Sequence, residues 1–254
     1  MSKSISEIKL IYNNTGIDDI PLFIESLKED NRKGVLNIIS SAEKKYNAHL
    51  SELKRLEEIS FYENECRKNG FKVIAGIDEV GRGPLAGPVV TAAVILEENC
   101  KIEGINDSKK LSSSKREALY DIITKEAVAY SFGIVSPEEI DRINILQATY
   151  KAMQQAIAGL SIKPDFVLAD AVTIPDIGIS QQGIIKGDAK SISIGAASII
   201  AKVYRDRMMT EYAKLYPEYG FEENKGYGSK KHTDAIKKYG ICPIHRKSFL
   251  KNFI

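Results

Sequence analysis

Gly76-Ile77-Asp78-Glu79-Val80-Gly81-Arg82-Gly83 sets two adjacent acids where an apolar run, residues 71–77, gives way to a glycine-flanked arginine. Neighbouring carboxylates at the end of a buried strand repel each other and resist ionisation unless a cation lies beside them. Hard divalent ions such as Mg²⁺ take oxygen ligands and answer that need. Asp170 closes a second apolar run, Phe166-Val167-Leu168-Ala169, and Asp188 follows Lys186-Gly187. Singly, an aspartate at a strand end is more often a turn former or a helix cap. Four acids at such positions point to one metal-dependent phosphoester site, because two-metal displacement needs several carboxylates and no nucleophilic side chain.

Outward from this stretch the hydrophobic period changes twice. Upstream, residues 4–12 and 16–29 read as short amphipathic helices. From about 35 to 68 apolar residues recur at helical spacing (Val35, Ile38, Ile39, Ala42, Tyr46, Leu50, Leu53, Leu56) until Asn69-Gly70 stops the run. Downstream, 71–78 and 89–96 read as strands about a turn rich in Gly and Pro, and 128–135 as a third. Ser112-Ser113-Ser114 caps a helix to about Glu126, Ser136-Pro137 opens another, and residues 145–160 continue as helix. Residues 166–169 form a strand, Ile184-Ile185 lie in one more, and a long helix covers about 193–216. Strands that precede helices imply parallel pairing in the second half, and the first half is antiparallel. The expectation is a mixed-sheet α/β domain at 71–254 behind a helical appendage at 1–70, with sites gathered at the carboxyl ends of strands.

The 254 residues carry a formal net charge of +2, unevenly spread. Residues 1–70 hold 11 basic and 12 acidic side chains, 71–223 hold 17 and 21, and 224–254 hold 8 and 1. An acidic middle before a basic tail suits metal ions and lysines meeting a polyanion together, although a solvated helix face has the same composition. Three cysteines without metal-ligand spacing, no signal-peptide core at the start and no membrane-length apolar run lead to the expectation of a cytoplasmic protein.

Other motifs are excluded or modest. Gly81-Arg82-Gly83 is not a dinucleotide fingerprint, since the next glycine is Gly87 and Pro84 and Pro88 prevent the required helix start; no Walker A sequence occurs. The two glycines permit close backbone approach to a ligand, and Arg82 can meet a phosphate bidentately. There is no Ser/His/Asp or Cys/His signature. Arg205-Asp206 reads as a structural ion pair and His232 as a residue that orders the tail; Ser108 and Lys186 are placed near phosphate.

The run Ala75-Gly76-Ile77-Asp78-Glu79-Val80-Gly81-Arg82-Gly83-Pro84-Leu85-Ala86-Gly87-Pro88-Val89 closely resembles the signature of ribonuclease HII, the type 2 ribonuclease H. Matching segments follow in order: Asn106-Asp107-Ser108-Lys109-Lys110-Leu111, Lys186-Gly187-Asp188, residues 196–202, Lys225-Gly226-Tyr227-Gly228 and His245-Arg246-Lys247-Ser248-Phe249. The resemblance covers about 71–254. It implies a ribonuclease H-like mixed five-stranded sheet flanked by helices, with a basic C-terminal helical segment at about 224–254. It further implies that Asp78, Glu79, Asp170 and Asp188 are catalytic and hold two Mg²⁺ or Mn²⁺ ions. Gly81, Arg82 and Gly83 would read the ribose 2′-hydroxyl, Tyr227 would stack on the next sugar, and Lys109 would contact phosphate. The implied reaction is hydrolysis on the 5′ side of a ribonucleotide in RNA/DNA hybrids or duplex DNA, by a monomer, leaving 3′-hydroxyl and 5′-phosphate ends. Ribonucleotide removal and primer processing are the roles expected. A non-catalytic hybrid-binding module would lack one of the acids. A different metal phosphotransferase would lack the GRG loop and Tyr227, and the sibling ribonuclease HIII is disfavoured by the GRG form of the loop. Residues 1–70 resemble extensions on some bacterial members and either pack for stability or help grip the duplex.

Overall fold

A computed structural model describes residues 3–250. Met1, Ser2 and residues 251–254, which end the apolar and basic stretch 248–254, lie outside the described residues. The chain divides into two compact units, Met1–Glu58 and Ile59–Ile254.

The first unit is helical. Helix α1 (Ile5–Asn14) begins at a capping box in which the Ser4 hydroxyl accepts from the Glu7 N–H and the Glu7 carboxylate from the Ser4 N–H. A turn leads to α2 (Ile20–Glu25), and α3 (Lys33–Ile59) follows. Their apolar stripes meet in a small core of Ile8, Ile20, Phe23, Val35, Ile38 and Ala42.

The long helical period ends earlier than the apolar spacing implies. The chain breaks at Ser60, and α4 (Phe61–Lys68) packs within the second unit. Its Cys66 and Tyr62 join Phe71, Ile74, Leu168, Ile184 and Ile194. Buried Glu63 accepts hydrogen bonds from the hydroxyls of Ser191 and Ser193 and from the Ser193 N–H. The helix stops at Asn69, as the Asn-Gly pair requires, but the units part eleven residues before it.

The second unit is a five-stranded sheet in the order β3-β2-β1-β4-β5. Strands β1 (Ile74–Val80), β2 (Val89–Ile95) and β3 (Ala129–Val135) pair antiparallel; β4 (Phe166–Asp170) and β5 (Ser180–Ile184) add in parallel. The α/β mixed sheet is therefore as expected, with two displaced boundaries. Strand β1 starts at Ile74 because the Asp165 carboxylate takes the N–H groups of Lys72 and Val73. It runs on to Val80, paired with Val90, so Asp78 and Glu79 sit inside the strand. Strand β5 is a polar edge strand whose period is hard to see; Gln181 fastens it by bonding both the N–H and the carbonyl of Ile174.

Helices cover both faces. Helix α5 (Ser113–Glu126), α6 (Pro137–Ile143) and α7 (Ile145–Ala158) follow the first strands. On one face Ile77, Val167 and Ala169 pack on Met153 and Ala156 of α7. On the other lies α8 (Ile192–Leu215), whose first turn presses on Gly76 so closely that a Cβ there would collide with the Ser193 backbone. The basic tail is no solvated arm. Short α9 (Phe221–Asn224), α10 (Lys230–Tyr239) and the turn after it enclose Leu85, Met209, Tyr219, Phe221, Ile236 and Ile244, while Lys230, Lys231, Lys237 and Lys238 stay exposed.

Candidate active site

Strand register assembles the acids. Ile77 is aligned with Ala169 across the parallel β1–β4 pair, so the next residues, Asp78 and Asp170, stand side by side on strands about 4.8 Å apart. Both project to the α8 face. Asp78 is buried and bonds the Ser198 side chain of α8, and its carboxylate also accepts the Glu79 N–H at 2.8 Å. Ser198 in turn bonds buried Ser108 at 2.9 Å, so Ser108 braces the carboxylate from within and is not placed to meet phosphate. Asp170 accepts the Gly187 N–H at 2.7 Å, which draws the Gly187–Ala189 turn and its Asp188 to the end of β4. Asp107 and exposed Lys109 lie close enough to Asp188 to act on its charge.

Electrostatics mark the cluster. Burial first, then the charges of Glu79 and Asp170, hold the Asp78 carboxyl well above the usual aspartate range. Burial also raises Glu79 against the lowering effect of Arg82, and it raises Asp188, helped by Asp107 and Asp170 and opposed by Lys109. Carboxylates that raise one another at a strand edge favour a cation beside them. A hard divalent ion suits this donor set, and Glu79 Oε2 is buried without a hydrogen-bond partner. Among the described residues no three His, Cys, Asp or Glu side chains already form a tight cage. An open set of oxygens that shares its ion with substrate is the usual Mg²⁺ arrangement.

The loop beyond β1 supplies the other expected residues. Gly81 has φ +90°, and a Cβ there would strike the Arg205 side chain and the Pro88 carbonyl, so the position calls for glycine. Arg82 pairs with Glu79 at 3.2 Å and is half exposed, so the pair is weak in water and free to exchange for a phosphate. The ring of Tyr227, 48% exposed, stands against Gly83. The structure thus gathers Asp78, Glu79, Asp170 and Asp188 at one sheet edge, with Lys109 on one flank and the loop with Tyr227 beside it.

Residue-by-residue reading missed several participants. Arg205 does not pair with Asp206, which bonds Lys202 at 2.7 Å. Instead Arg205 and Arg246 are wholly buried and, among the described residues, donate only to backbone carbonyls. Asp107 and Ser198 lay within the matched segments, but neither carried a sign of its role. His232 does order the tail: its Nδ1–H donates to the Tyr227 carbonyl at 2.9 Å and its Nε2 faces His245 Nε2 at 3.0 Å. The Cys242 N–H donates to His245 Nδ1, so neutral His245 carries its proton on Nε2 and donates it to His232.

The Ribonuclease HII family profile matches residues 75–252, and that of the Ribonuclease HII N-terminal domain matches residues 4–67. A ribonuclease HII of Clostridioides difficile (strain 630) is 54% identical over 252 residues, covering 99% of each chain. This chain belongs to the ribonuclease HII family. It is accordingly a ribonuclease H, a hydrolase of the endonuclease type. Solved structures carry the fold. Ribonuclease H2 of Pyrococcus horikoshii OT3 superposes with a TM-score of 0.61 at 30% identity, over 72% of this chain and 97% of that one. A ribonuclease HII of Archaeoglobus fulgidus, solved in complex with PCNA, gives 0.60 at 28% identity, over 69% of this chain and 94% of that one. The mixed five-stranded sheet with flanking helices is the ribonuclease H-like fold that its sequence implies. No helix among the described residues is long and apolar enough to cross a membrane.

Proposed function

We propose that this ribonuclease HII hydrolyses the phosphodiester on the 5′ side of a ribonucleotide, in RNA/DNA hybrids or embedded in duplex DNA. The products carry a 3′-hydroxyl and a 5′-phosphate, and the roles are ribonucleotide removal and primer processing. The carrying observation is the juxtaposition of the acid cluster with the 81–83 loop and Tyr227. Asp78, Glu79, Asp170 and Asp188 would hold Mg²⁺ or Mn²⁺ ions, and the bound pair would supply a nucleophilic hydroxide and stabilise the leaving oxygen. Gly187 and Ser198 aim the carboxylates of Asp170 and Asp78. Arg82 and Lys109 meet phosphate charge from either side of the cluster. The exposed backbone of Arg82 and Gly83 meets the 2′-hydroxyl, and a site that pairs such a group rejects its deoxy analogue by about 10⁴–10⁵-fold. Tyr227 offers its exposed ring to the neighbouring sugar. The lysines of α10 extend the contact along the duplex backbone.

Incubation with a duplex containing one ribonucleotide tests this. One cut is expected, immediately 5′ of the ribonucleotide and only with a divalent metal; equal cutting of an all-deoxy duplex would overturn it.

A further inference from the structure

Arg205 of α8 and Arg246 of the tail are both 0% exposed. Among the described residues all their hydrogen bonds end on main-chain carbonyls. Arg205 donates through Nε to Pro88 at 3.0 Å, through Nη1 to Lys225 at 2.9 Å and through Nη2 to Ala86 at 3.1 Å. Arg246 donates through Nε to Gly87 at 2.9 Å, through Nη1 to Arg82 at 2.9 Å and through Nη2 to Gly81 at 2.5 Å. Burying a guanidinium is costly: desolvation pushes Arg205 down to about 10 and Arg246 to about 9. Apolar residues of like volume would fill the space with less penalty. What they could not supply is a rigid planar fork that fixes three acceptors at once.

We propose that Arg205 and Arg246 are the positioning residues that make the 81–83 loop selective for a ribose 2′-hydroxyl. In a trans peptide the carbonyl of one residue and the N–H of the next point opposite ways. Holding the Gly81 and Arg82 carbonyls inward therefore turns the Arg82 and Gly83 N–H groups outward. Both residues are exposed, and among the described residues no acceptor meets either N–H. Arg205 also grips Lys225, two residues before Tyr227, while the Gly226 carbonyl accepts the Leu85 N–H at 2.8 Å. The same two side chains thus set the spacing between the amides that meet the hydroxyl and the ring against Gly83. The proposal deepens the functional reading above and rests on it.

The test compares Arg205→Lys and Arg246→Lys with the wild type, binding a duplex with one ribonucleotide and its all-deoxy counterpart, in EDTA so that neither is cut. Lysine keeps the charge and loses the fork. Each variant should lose roughly 10- to 100-fold of the preference for the ribonucleotide duplex, while its affinity for the all-deoxy duplex stays within about twofold. Equal weakening on both duplexes, or an unchanged preference, overturns the proposal. Hydrogen exchange on the wild type tests the outward orientation of the two amides, on which the proposal stands, even if the variants fail to fold. The Arg82 and Gly83 amides should exchange freely in the free protein and gain protection with the ribonucleotide duplex alone. Protection already present in the free protein refutes the outward orientation. No protection with either duplex refutes the functional reading itself, whereas protection with unchanged preference in folded variants refutes only the role of the two arginines.

Discussion

At the scale of the residue, buried Asp78 separates catalysis from stability. Its carboxyl is held well above the ordinary range by burial and by Glu79 and Asp170, so the metal-free fold keeps it charged only at a penalty. Asp78→Asn should raise the unfolding midpoint at pH 8 without metal, and cleavage should be lost; a lower midpoint would show that the carboxylate is satisfied without a cation. Asp170→Asn keeps an oxygen to accept the Gly187 N–H, so the fold should persist. Cleavage should fall by roughly 10²–10⁴-fold, the worth of several kcal/mol of metal stabilisation; retained activity would remove Asp170 from the metal shell. These acids were legible because a short motif and a strand end place them. Ser198, Arg205 and Arg246 were not, because most of their partners are main-chain atoms or hydroxyls far away in the sequence, and no local pattern records such pairings.

At the scale of the element, the paired imidazoles tie the tail to itself around Tyr227. The chain of donors from the Cys242 N–H through His245 and His232 to the Tyr227 carbonyl runs only while both rings are neutral. Burial depresses His232, and burial together with the His232 charge takes His245 to about 4. In the unfolded chain both would titrate near 6.5. The unfolded state then binds more protons below that value, and stability is lost as pH falls from about 6.5 towards 4. Urea midpoints at pH 7.5 and 5 should show this loss, and His245→Asn should show less of it; an equal fall in the variant would assign it elsewhere. The apolar runs of β2 and α8 and the caps at Ser112 and Ser136 made their elements readable. The extent of strand β5, read only around Ile184, and the break at Ser60 escaped, the first because the rest of the strand is polar, the second because one helical period continues across two cores.

At the scale of the molecule, the line between the units decides where the chain can be cut. Glu63 caps the start of α8 and Cys66 belongs to the sheet's core. Removing residues 1–58 should leave a catalytic unit more stable than removing 1–70, by about 3–5 kcal/mol for a buried apolar side chain and bonds to a charged group. Equal urea midpoints for the two truncations would place α4 outside the core. The mixed sheet itself followed from strands that precede helices in the second half of the domain and an antiparallel first half, a pattern long enough to survive local errors of a few residues.

The central claim is that carboxylates from β1, the end of β4 and the turn before α8 form one divalent-cation site. Because Asp78, Glu79 and Asp188 have raised folded values, the metal-free protein loses stability as pH rises through them, and a bound cation restores it. The decisive measurement is the thermal midpoint at pH 8 against Mg²⁺ or Mn²⁺ concentration. At one hundred times the dissociation constant the gain is about 2.7 kcal/mol, a rise of roughly 5–10 °C for a chain of this size, and Asp170→Asn should flatten the response. A wild-type midpoint indifferent to either ion would contradict the account.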